Sequence, residues 1–348
     1  MKASVRVILS GILLLGSMFY SVHPGVWGAD ATDFAGKTFV VMVASNPGGG
    51  TDTTGRAIAR YWGKYLPGNP EVIVRNKPLQ TAAANYFQRK TRPNGLTVGV
   101  FAGGGSLSPV ARKASSVRYD PLSWEYVGSI ERGPSVQFIR KDAKARLTDP
   151  KAKPVAVGSA GPGYRPSDAM AVYGAEYGNW NIKMVHGYPS SRDVYLAYER
   201  GEVDMFGSGT TRIIKRFLKG DATALAVHEK RADFPDLQTL EELLGDKLPT
   251  GMARKAYRIW SGPSAVDKYF VVPAKTPEAT VKVLRQSFDK VLADPEFQKY
   301  AKKVLGKGYR ALTGPETKQL VKDSLVVPDD VQAFNKKLRA KHGLPVSN

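Results

Sequence analysis

The sequence predicts an α/β fold in two domains, each a mostly parallel sheet flanked by helices. Three observations predict it. A length of 348 residues suits about two domains. Short apolar and β-branched runs alternate with stretches of helical spacing, the pattern of sheets covered on both faces. Glycine-rich loops recur at the ends of predicted strands, where open α/β sheets bind ligands.

The predicted strands are Thr38–Ala44, Val72–Arg75, Leu96–Phe101, Tyr126–Ile130, Val136–Arg140, Val155–Gly158, Ile182–Val185, Val203–Phe206 and Ala222–Val227. Ile58, Trp62 and Leu66 repeat every four residues after the first of them, as do Ala169, Tyr173 and Tyr177 after Val155–Gly158. Val281, Leu284, Phe288, Val291 and Leu292 mark a long helix near the C-terminus. Gly128–Pro134 reads as a crossover between two halves, and Tyr257–Pro273 as the return. The expected division is residues 29–130 plus 267–348 for domain 1 and residues 131–266, including the return crossover, for domain 2. Such an arrangement makes a hinged cleft suited to a small ligand.

Residues 1–28 read as a signal peptide: basic Lys2 and Arg6, an apolar run Ile8–Tyr20, then Val26 and Gly28 at the −3 and −1 positions of a cleavage site. The run is shorter than the about 20 residues a membrane span needs. The expected location is therefore periplasmic. Cleavage removes two positive charges from a net +20. The remaining basic residues are spread along the chain. For an exported protein that excess suits anionic small molecules or surfaces better than nucleic acid, which is not expected as a partner.

Absence of Cys excludes disulfides, thiolate metal sites and cysteine nucleophiles. Four His residues, at 23, 186, 228 and 342, leave little for a metal site or a catalytic triad. Neither a metal nor a cofactor is expected, and no catalytic residue is assigned. Ser106, in Gly-Gly-Gly-Ser-Leu-Ser, is not a nucleophile elbow. An exported hydrolase or lyase on the same frame is the alternative to a binding protein, and it lacks a nucleophile with its base.

Four loops carry the candidate site. The first, Ser45-Asn46-Pro47-Gly48-Gly49-Gly50-Thr51-Asp52, joins a strand to a helix. Its glycines permit close backbone approach, Thr51 or Asp52 suits a helix cap, and a helix N-terminus favours an anion. It is neither a P-loop nor a dinucleotide fingerprint. Ala102–Ser106, Gly158–Asp168 and Gly207–Thr211 repeat the arrangement. The candidate ligand-binding residues are Ser45, Asn46, Gly48, Gly49, Thr51, Asp52, Gly104, Ser106, Ser159, Gly161, Gly163, Tyr164, Arg165, Ser208 and Thr210.

These loops belong to a wider pattern. Pro47-Gly48-Gly49-Gly50-Thr51-Asp52 with Gly55-Arg56, Val72–Pro78, Pro93–Thr97, Tyr119-Asp120-Pro121-Leu122, His186–Ser190, Gly201–Phe206 and Leu292–Glu296 occur in this order over most of the chain. The chain resembles the Bug family, the extracytoplasmic solute receptors of tripartite tricarboxylate transporters. The resemblance implies a two-domain periplasmic binding protein of the Venus flytrap kind, type II-like, without catalysis. It implies a small organic carboxylate held by the first and third loops, partly through water, delivery to a membrane permease, and a monomer. The third loop departs from the family pattern S-S-G-x-G-S-x-x-H: it has one extra residue, the pair Tyr164-Arg165, and Asp168 in place of His. Arg165 is the candidate carboxylate partner, with Tyr164 beside it. Asp52 is expected chiefly to orient its loop, Asp204 to fix its strand, and Trp260 to lie in the core. His186 and His228 read as ordinary packed or surface residues.

Overall fold

The computed structural model describes residues 33–346, so the signal-peptide segment 1–28 lies outside the described residues. Eleven strands form two mixed sheets. They are β1 Thr38–Val43, β2 Glu71–Asn76, β3 Thr97–Phe101, β4 Glu125–Glu131, β5 Val136–Arg140, β6 Val155–Ala160, β7 Ile182–Tyr188, β8 Met205–Ser208, β9 Ala222–Val227, β10 Lys268–Val272 and β11 Arg310–Thr313. The first sheet has the order β2-β1-β3-β10-β4-β11 and the second β7-β6-β8-β5-β9. β1 pairs parallel with β2 and β3, while β10 runs antiparallel to β3 and β4. In the second sheet β6 pairs parallel with β7 and β8, and β5 runs antiparallel to β8 and β9.

The two sheets therefore share one topology. In each, a strand entering from the other half is inserted, antiparallel, between the third and fourth strands. This is the expected type II-like arrangement, and the inserted strands with β11 make the sheets mixed, with four parallel and five antiparallel pairings among the described strands. It makes the loop after β1 equivalent to that after β6, and the loop after β3 equivalent to that after β8.

Each sheet is covered on both faces. Helices Gly50–Trp62, Glu278–Ala293 and Pro295–Val304 cover one face of the first sheet and Gln80–Lys90 the other. Trp62 is the centre of the first core. It is fully buried, packs edge-on against Phe39, Phe270 and Phe288, and donates from Nε1 to Ser287 Oγ at 2.8 Å. Helices Pro166–Gly178 and Met252–Ala265 cover one face of the second sheet, and Ser191–Glu199 and Thr211–Lys219 the other.

The nine expected strands all occur, with β8 displaced toward the C-terminus of its predicted span. The crossover is shorter than Gly128–Pro134, because β4 continues, almost entirely buried, to Glu131. The return holds a helix, Met252–Ala265, and then β10, whose run Lys-Tyr-Phe-Val-Val is buried throughout. The helix Asp329–Lys341 packs away from the first sheet. Asn335 accepts from Tyr173 Oη at 3.1 Å and donates to the Ala256 carbonyl at 3.1 Å, and Leu338 and Leu344 join the second core. As expected, Asp204 fixes its strand: its carboxylate accepts from the Ala156 N–H at 2.9 Å and from Arg146 Nη2 at 2.8 Å.

Trp62→Ala is expected to lower stability by about 3–5 kcal/mol, since it opens a cavity and removes the donor to Ser287 Oγ, which keeps only its own bond to the Leu284 carbonyl. Urea unfolding followed by circular dichroism measures this, and a loss below about 1 kcal/mol contradicts the assigned packing.

Candidate functional site

All four glycine-rich loops converge on one cleft of about 660 Å³. Its wall includes Ser45, Gly49, Gly50 and Thr51 from the loop after β1, and Gly104 and Gly105 from that after β3. From the second sheet come Gly161, Tyr164 and Arg165 after β6, and Ser208, Gly209 and Thr210 after β8. Two helix N-termini, at Gly50 and Pro166, begin at this wall. Both carry the partial positive charge of unpaired N–H groups.

Nine of the fifteen expected residues line the cleft: Ser45, Gly49, Thr51, Gly104, Gly161, Tyr164, Arg165, Ser208 and Thr210. The other six are not at its wall, each for a visible reason. Asn46 closes the turn, its carbonyl accepting from Ser45 Oγ and the Gly49 N–H. Gly48, at φ +80°, serves the same turn and donates its N–H to Asp52 Oδ2 at 2.8 Å. Asp52 is buried, and its carboxylate also accepts from Arg56 Nε and Asn76 Nδ2, so it is spent on holding the loop. The helix cap falls to Gly49, without a side-chain bond, instead of Thr51 or Asp52. Ser106 is bonded to Tyr269 Oη at 2.6 Å and to the Ala102 carbonyl at 2.8 Å. Ser159 is buried beneath the third loop beside Asp168. Gly163, at φ +76°, packs its backbone on Leu344, where a Cβ would approach within 2.6 Å.

The third loop is braced from both ends. Asp168, fully buried, accepts from the Arg165 N–H at 2.7 Å. Arg339, on the C-terminal helix, donates to the carbonyls of Pro162, Gly163 and Pro345. The Arg165 guanidinium points to the cleft and donates from Nη1 to Ser191 Oγ at 2.7 Å. Among the described residues no carboxylate forms an ion pair with it.

The sequence analysis missed the floor of the cleft. Glu131 ends β4 and Arg132 follows it, while Asp267 precedes β10 and Lys268 begins it, so both crossings meet here. Asp267 accepts from Arg132 Nε at 2.5 Å, Arg132 Nη2 at 2.8 Å and Lys268 Nζ at 2.5 Å. Arg132 Nη1 reaches across to Thr210 Oγ1 at 2.6 Å. It also lies so close to Gly50 that a Cβ there would collide with it. Glu131 accepts from Ser129 Oγ at 2.9 Å and from the Asp267 N–H at 2.8 Å. Burial alone would raise the Asp267 carboxyl, but Arg132 and Lys268 outweigh it and hold that group well below the usual carboxylate range. Burial, with the charge of Asp267 beside it, pushes Glu131 up to about 7. Burial, with the charge of Arg132, brings Lys268 down to about 8. No sequence motif marks these residues; the only signal was their place at the two predicted crossings. His228 also lines the cleft, and burial lowers its pKa. His186 is exposed.

The fold is that of two-domain periplasmic binding proteins. It is similar to the structure of the periplasmic binding protein BugD, at 23% identity over 88% of this chain and 98% of that one, with a TM-score of 0.65. It is also similar to Rpa4515 of R. palustris with adipate, at 16% identity over 90% and 99%, TM-score 0.64. MatC from Rhodopseudomonas palustris with bound malate matches at 19% identity over 85% and 98%, TM-score 0.60. No protein-family model and no curated protein matches the sequence. No described helix is long and apolar enough to cross a membrane.

Glu131 binds its proton more tightly folded, at about 7, than at its ordinary 4.5. Its contribution to stability therefore rises as pH falls between these values and is lost as pH rises through about 7. Glu131→Gln is expected to flatten this slope by about 1–3 kcal/mol between pH 5 and 8. Urea unfolding of both proteins across that range measures it, and parallel pH profiles contradict it.

Proposed function

We propose that this protein is a periplasmic solute receptor of the Bug type, which captures a small organic carboxylate in the cleft and delivers it to a tripartite tricarboxylate-type permease. The observation that carries this reading is the Arg165 guanidinium at the cleft wall, beside one helix N-terminus and across the cleft from another. A cation without a carboxylate partner among described residues, flanked by two partial positive charges, suits an anion. The similar folds of BugD, MatC with malate and Rpa4515 with adipate support the class. The sequence of residues 1–28 supports export.

On this reading the two sheets belong to two domains hinged at the crossings beside Glu131 and Asp267. The helix Asp329–Lys341 moves with the second, since apart from the exposed Lys113–Asp329 pair its side-chain bonds are to that half. The receptor acts as a monomer and catalyses nothing. The ligand spans from the loop after β1 to Arg165, and closure buries it.

Native mass spectrometry of protein purified without refolding is expected to show a bound carboxylic acid, and calorimetry with malate, adipate and citrate to find at least one that binds. Arg165→Ala is expected to lose roughly thirtyfold to several thousandfold in affinity for it, a cost of about 2–5 kcal/mol. Absence of any carboxylate ligand, or its chemical turnover, contradicts the receptor reading. An affinity within about twofold of wild type removes Arg165 from the site.

Small-angle scattering is expected to give a smaller radius of gyration at saturating ligand than without it. Superimposable curves contradict closure.

A further inference from the structure

Behind the cleft wall lies a second, smaller cavity of about 90 Å³. Among the described residues its lining includes the cations Arg112 and Arg339 and no acid. It also brings together parts of the chain from both halves: Ser108 and Arg112 after β3, Tyr164 after β6, Trp260 of the return helix, and the C-terminal helix.

Tyr164 is the centre of this cluster. The Arg112 and Arg339 guanidinium carbons each lie 3.4 Å from its ring centroid. Two guanidiniums cannot share one ring face at that distance, so they sandwich the ring. Neither forms an ion pair with a carboxylate among the described residues. Arg339 spends its N–H groups on backbone carbonyls. Arg112 Nε and Nη1 are buried and have no hydrogen-bond partner, and the same is true of Ser108 Oγ and Trp260 Nε1. Ser108 and Trp260 are only 4% and 6% exposed. Burial lowers both guanidinium pKa values to about 10, so both stay charged at neutral pH. Two like charges out of water, with unused donors beside them, are costly unless an anion joins them.

We infer that this cavity is a second anion site, which takes a small oxyanion between Arg112, Ser108 and Trp260. Its volume is on the order of three water molecules, too small for a tricarboxylate, so the occupant is an inorganic oxyanion or one carboxylate group. The anion ties the segment after β3 to the third loop and steadies Tyr164, which also lines the main cleft.

The test is thermal unfolding in increasing sodium sulfate, and separately sodium acetate, against sodium chloride at equal ionic strength. One of the two oxyanions is expected to give a saturable rise of about 3–6 °C beyond chloride, and which one does so names the source. Arg112→Met is expected to abolish the rise and, without anion, to melt no lower than wild type, since it removes an uncompensated buried charge. Trp260→Phe, which removes the N–H donor with part of the ring and keeps an aromatic group in place, is expected to weaken the rise and carries the test if Arg112→Met does not fold. Arg165→Ala, which alters only the main cleft, is expected to keep it. The absence of a saturable rise overturns the inference. So does a rise that survives in both Arg112→Met and Trp260→Phe. So does a rise lost in Arg165→Ala, which would put the anion in the main cleft.

Discussion

The structure depends on one buried ionic cluster. Arg132, Asp267 and Lys268, with Glu131 against them, sit where the chain leaves the first sheet and where it returns. A lone charge at that depth is untenable, so each group requires its neighbours. Asp267 takes two bonds from Arg132 and one from Lys268. Arg132 then has one nitrogen left over, which it donates to Thr210 of the second half. The cluster thus locks the two crossings together and sets the spacing of the loops above. It also decides the charge of the cleft floor. With Glu131 near 7 and Lys268 near 8, that charge is set by groups that titrate around neutrality.

Above this floor the loops work in equivalent pairs, because the two sheets repeat one topology. Each pair ends a strand and begins a helix or helical turn, so backbone N–H groups from both halves face one volume. Glycine is required where the chain turns most sharply or is most crowded. Gly48 takes a left-handed conformation that frees its N–H for Asp52, and Gly50 leaves room for Arg132. The polar side chains nearest these turns are consumed in holding them. That is why Asp52 and Ser106 are buried while their neighbours face the cleft.

The Tyr164-Arg165 pair joins two environments. Arg165 reaches the cleft, where Ser191 steadies it. Tyr164 turns its ring between two guanidiniums at the back. The C-terminal helix makes this possible, because Arg339 reaches the loop's carbonyls from behind. The loop is thereby held in one conformation, and Arg165 is presented at a fixed place.

Much of the architecture was legible in the sequence. Buried strands of four to seven residues and helices with a four-residue apolar repeat impose their periods on the chain, since each must bury an apolar face. Glycine clusters between them announce where the backbone is exposed and sharply turned. Those signals are local, and they located all nine predicted strands and the four loops of the cleft. What they could not reach was decided by tertiary structure. β10 and β11 stayed hidden within a predicted crossing and a predicted tail, because a single strand inserted in a sheet is defined by its neighbours. Nothing local distinguishes Ser106, which bonds to Tyr269, from Gly104, which lines the cleft. The roles of Arg132, Asp267 and Arg339 depend on partners 78, 135 and 176 residues away. Burial of a charge is tolerated only in the company of such partners, and only the folded chain assembles them.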